Sequence, residues 1–96
     1  RVNGSLENHY APEAKVILDV APQPGDGFLA LAAVETPAGV IRLAAPLTHE
    51  EFARILYSSL RSADQQRLAR VGVHQPLGDD IAVAIRDRLL RASHGR

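Results

Sequence analysis

The sequence predicts an α+β fold: a three-stranded antiparallel sheet over about 15–20, 28–35 and 40–45, followed by two or three helices over about 49–61, 63–70 and 79–92 packed on one face. Three observations predict it. Short apolar, β-branched runs separated by Pro/Gly clusters fill the first half. A helix-start signal stands at Thr48, and helical spacing follows it. Strands grouped ahead of helices, rather than alternating with them, indicate an antiparallel sheet with one face left open.

The stretch Arg1–Pro12 is polar and without period, so a flexible arm is expected there. Lys15–Val20 reads Lys-Val-Ile-Leu-Asp-Val, a strand. Ala21–Gly27 holds two prolines and two glycines and reads as a loop. Phe28–Glu35 and Val40–Ala45 are the next strands, joined by Thr36-Pro37-Ala38-Gly39 as a hairpin with a type I turn and a bulge. Thr48-His49-Glu50-Glu51 is a capping box, with Leu47 placed to staple against Phe52. Phe52, Ile55, Leu56, Leu60 and Ala63 form the apolar stripe of the first helix. Ser62-Ala63-Asp64-Gln65 repeats the capping pattern and predicts a break and a second helix to about Arg70. Val71–Gly78 reads as a loop. Asp79 and Asp80 then cap a last helix, with an Asp87/Arg91 pair one turn apart.

Length and composition bound the function. With 96 residues, 46% of them hydrophobic, the chain reads as one small domain over 1–96 with a thin core. It begins with arginine, which fits excision from a longer chain. Without cysteine, disulfides, thiol catalysis and cysteine zinc sites are excluded. Eleven cations balance eleven acids, so no global field draws nucleic acid or membrane. The halves differ: residues 1–50 carry three cations against six acids, residues 51–96 eight against five. No apolar run is long enough to span a bilayer.

The motifs are weak. Gly25-Asp26-Gly27-Phe28-Leu29-Ala30 fits GxGxxA as a string, but it leads into a strand, not a helix, and so reads as a turn. His49-Glu50 opens like HExxH, yet Ala53 occupies the second ligand position. The four histidines show no ligand spacing, and no metal or cofactor is expected. His74 with Asp79 and Asp80 is the best acid/base constellation, while the plainer reading makes the two aspartates helix caps. Arg86, Arg88 and Arg91 are the candidate grip on an anionic partner, although no aromatic lies near them in sequence.

The favoured reading is a non-catalytic interaction or regulatory module that self-associates through its open sheet face, as a homo-oligomer or within a larger assembly. The alternative is a small-molecule or enzyme domain with its site between the 21–27 and 71–78 loops. The third is a nucleic-acid-binding regulator using the C-terminal arginines. Nucleic acid is the less favoured partner, and no membrane is expected. The compartment stays open, with the cytoplasm favoured.

Overall fold

The computed structural model describes residues 11–94. The elements in order are β1 (Lys15–Leu18), β2 (Gly27–Leu29), β3 (Ile41–Ala44), α1 (His49–Gln65), β4 (Arg70–Val73) and α2 (Ile81–Ser93). The four strands form one sheet in the order β1-β4-β2-β3. Every pairing is parallel. The expected three-stranded antiparallel sheet is therefore corrected to a four-stranded, all-parallel one with two helices, in a small α+β chain without cysteine.

The correction has a local origin. Val71-Gly72-Val73, read as part of a loop over 71–78, belongs to the strand that pairs with both β1 and β2. It needs that glycine: a Cβ at Gly72 would stand 3.1 Å from the Pro22 Cβ. The predicted hairpin is absent too. The chain leaves the sheet after Leu29 and returns at Ile41, so the Thr36–Gly39 turn, with Gly39 at φ 80, lies in a connection. With strands of three or four residues, the way back to the start of the next strand is only about 13 Å. The extended segment 19–26 covers that distance without a helix.

The two faces are filled differently. Val16, Leu29, Val71 and Val73 point to one side and form the core with Phe52, Leu56, Leu60 and Ala63 of α1 and with Ile85, Leu89 and Ala92 of α2. The opposite row runs Ile17, Gly72, Phe28, Arg42 across the register. Pro22 covers Gly72, and the Arg42 guanidinium lies 5.2 Å from the centre of the Phe28 ring. The connections 19–26 and 30–40 meet over this side, where the Gly25 N–H donates to the Gly39 carbonyl at 2.9 Å. The face expected to stand open for a second copy is thus roofed by the chain itself. A parallel sheet needs both faces covered, and here irregular chain supplies the second layer.

Helix α1 starts as its sequence dictates, with the Glu51 N–H donating to the Thr48 hydroxyl at 3.1 Å. The Glu51 carboxylate accepts from the Leu47 N–H at 2.7 Å, one residue further back than a capping box requires. Leu47 is exposed while Phe52 is buried, so no staple forms. The predicted break at Ser62 does not occur. The Asp64 carboxylate, expected to cap a new helix, instead accepts from the amides of Glu13 and Ala14 at 3.1 and 2.9 Å and pins the entry to β1. The helix ends at Gln65 in a Schellman motif. Arg67 takes φ 59, its N–H donates to the Asp64 carbonyl, and the Leu68 N–H donates to the Ala63 carbonyl. Pro12 is fully buried, so the expected arm stops short of it; the rest of that expectation, over 1–10, lies outside the described residues.

Candidate functional site at the carboxyl edge

In a parallel sheet all strands end on one edge, and returning helices begin there. The carboxyl edge of this sheet gathers Asp19–Pro22 after β1, Ala30–Pro37 after β2, Ala45–Thr48 after β3 and His74–Asp80 after β4. Two depressions open on it. The first is a cleft of about 290 Å³ between the two connections on the outer side, lined at its base by Phe28 and by the end of β4 at Val73. One wall carries Asp19, Val20, Ala21 and Pro22, the other Val34, Glu35 and Pro37, with His74 at the strand end. The second is a shallower hollow of about 400 Å³ between the starts of the helices, edged by Thr48, His49, Glu50, Asp79 and Asp80.

Both walls of the cleft are fixed by specific bonds. Arg42 uses its whole donor set here, four of its five bonds going to the 30–37 connection. Its Nε donates to the Ala44 carbonyl at 2.8 Å, and its Nη1 to the Val34 carbonyl and the Thr36 hydroxyl, both at 2.8 Å. Its Nη2 donates to the carbonyls of Ala30 and Leu31 at 3.0 and 2.9 Å. Burial pushes this guanidinium below its ordinary range, yet an arginine stays charged in proteins. On the other wall, the Asp19 carboxylate accepts from the backbone N–H and side-chain Nε2 of Gln75 at 2.9 and 2.7 Å, tying the end of β1 to the segment after β4. Asp19 takes a positive φ of 58, a conformation aspartate tolerates.

The sequence-derived candidates separate here. His74 lines the cleft together with Ala21 and Pro22, so the 21–27 and 71–78 segments do meet. Asp79 and Asp80 lie on the second hollow instead. Asp80 occupies the cap position of α2, but its side chain makes no cap bond. Its backbone, at φ 57 and ψ −114 with the Ala82 N–H on the Asp79 carbonyl, is that of a turn which favours glycine. Of the arginines, Arg86 donates to the carbonyls of Pro76 and Gly78 at 2.8 and 3.0 Å, and Arg91 pairs with Asp87. Those two side chains shape and brace α2. Gly25 and Gly27 lead into β2, where no helix start faces a pyrophosphate.

Sequence reasoning missed Phe28, Val34, Glu35 and Pro37, because it placed them in a hairpin. It also missed Arg42, whose only signal was a lone cation within the apolar stretch Val40–Ala45. Away from the cleft, at the amino edge, the buried Asp26 accepts from the Gln23 N–H at 2.9 Å and pairs with Arg70 at 3.1 Å. The Gln23 amide, helped by Arg70, holds this carboxyl below the usual aspartate value against the opposing effect of burial. Among the described residues, no group of three His, Asp or Glu side chains could hold a metal ion. No described helix is long and apolar enough to cross a membrane.

A comparison with curated proteins found no match, and neither did one with solved structures. Residues 1–94 match the model of the threonylcarbamoyl-AMP synthase C-terminal domain. The match overturns the expected non-catalytic interaction or regulatory module in favour of a domain of an enzyme. With nearly its whole length covered, the chain belongs to the family of threonylcarbamoyl-AMP synthase C-terminal domains.

Proposed function

We propose that the chain serves the formation of threonylcarbamoyl-AMP, a step of tRNA modification, as a domain of the synthase, and that it acts from the carboxyl edge of its sheet. The observation that carries this reading is the cleft: it opens at the edge where parallel sheets receive their ligands, between two walls held by Arg42 and Asp19. The chemistry of the edge narrows its role. Asp19 and Glu35 line the cleft, Glu50, Asp79 and Asp80 edge the neighbouring hollow, and among the described residues no lysine or arginine lines either. Such a field repels the phosphate of an adenylate. The edge therefore works on the reaction by engaging another part of the synthase. Val20, Leu47 and Leu77, exposed by 62%, 78% and 79%, stand in the segments after β1, β3 and β4 and offer apolar contact there.

The test is made on the synthase that carries this domain. Ala21→Trp fills the cleft from an exposed position, and Lys15→Ala changes the opposite edge. Formation of threonylcarbamoyl-AMP is expected to fall by about tenfold or more in the first variant and to stay at the parent rate in the second, with unchanged circular dichroism in both. Equal rates in all three proteins overturn the reading.

A further inference from the structure

We propose that the cleft receives an arginine side chain presented by another part of the synthase, an inference that rests on the reading above. The cleft has the two halves of a site for such a side chain. Val20, Val34 and Pro37 give it apolar walls suited to an aliphatic stem, while Asp19 and Glu35 bring one carboxylate to each side. Among the described residues no lysine or arginine lines it, and His74 is the one basic side chain at its edge. The Arg42 guanidinium, over the ring of Phe28, spends its donors on carbonyls and a hydroxyl of its own chain. Glu35 on one wall, and on the other Asp19, whose two oxygens accept from Gln75 and keep further lone pairs, form an arrangement that charge-assisted hydrogen bonds from a planar donor fork would satisfy.

Two further features select the source. Free threonine brings an ammonium but also a carboxylate, which would have to enter beside Asp19 and Glu35; an arginine within a chain brings no such charge. Val20, on the cleft wall, is 62% exposed and suits a peptide surface better than a small solute. Because the walls are already held by Arg42 and by the Asp19–Gln75 tie, the site meets its ligand with little ordering cost.

The experiment uses the full chain and a defined probe, the capped tripeptide acetyl-Ala-Arg-Ala-amide, followed by amide chemical shifts in NMR. Its citrulline counterpart has the same shape and no charge. The arginine peptide is expected to shift the amides of Val20, Ala21, Val73 and His74, with binding that weakens as salt rises. The citrulline peptide is expected to bind about tenfold more weakly. Glu35→Gln, which leaves the Asp19–Gln75 tie intact, is expected to weaken the arginine peptide about threefold or more, and Asp19→Asn supplies the other half of the comparison. Equal binding of the two peptides, shifts confined to other surfaces, stronger shifts of the same amides by free threonine, or no shifts at all would each overturn the proposal. If that happens while Ala21→Trp still slows the synthase, the edge retains its role and only the occupant is wrong.

Discussion

Arg42 concentrates more of the molecule's order than any other single side chain described here. Four of the five hydrogen bonds from one guanidinium fix a connection that has no regular structure of its own, and the fifth returns to β3 at Ala44. A lysine keeps the charge but offers one donor point instead of a fork. Arg42→Lys is therefore expected to cost about 2–3 kcal/mol, read as a lower urea midpoint, and to speed amide exchange over 31–37. Gly72→Val puts a branched side chain where even a Cβ stands 3.1 Å from Pro22; a loss of about 2–3 kcal/mol in the same assay is expected. Asp26 sets an acid limit. Its carboxyl lies below the ordinary value when folded, so its contribution is present above the unfolded value of about 4 and is lost as pH falls through the folded one. Urea midpoints taken between about pH 7 and about pH 3 should fall at the acid end, and Asp26→Asn should flatten that fall. These roles were poorly legible in sequence because each depends on a distant partner: Pro22 for Gly72, Arg70 for Asp26, the 30–36 segment for Arg42.

At the scale of elements, legibility followed the range of the signals. Helix α1 was readable from its cap to its stripe, since Thr48, Glu51 and the spacing of Phe52, Leu56, Leu60 and Ala63 act within a few turns. Its end was misread because the Asp64 carboxylate serves a strand some fifty residues earlier in the chain. Strand β4 was unreadable: four residues with a central glycine carry no periodicity, and only the sheet on both sides makes them a strand. Two joints at helix ends hold non-glycine residues where glycine is favoured. Arg67→Gly at the end of α1 is expected to raise stability by about 1 kcal/mol, seen as a higher thermal midpoint. Asp80→Gly, at φ 57 and ψ −114 before α2, is expected to do the same by about 1–2 kcal/mol. A drop in either midpoint would show that the side chain contributes contacts worth more than its backbone strain.

For the molecule as a whole, the cleft was half visible. The 21–27 and 71–78 segments and His74 were singled out and do converge, but the wall bearing Val34, Glu35 and Pro37 could not be placed while residues 28–45 read as a hairpin. An antiparallel ribbon would have sent that segment back along its neighbour; parallel pairing lays it over the sheet instead. The sheet order itself bears on synthesis. β1 and β2 follow each other in the chain yet never touch, because the last strand made is the one that lies between them. A ribosome delivering this chain from its amino end thus releases β1 with no neighbour to bind, and it stays unsatisfied until residue 73 has cleared the exit tunnel. Translation arrest before Arg70 should therefore leave β1 sensitive to protease.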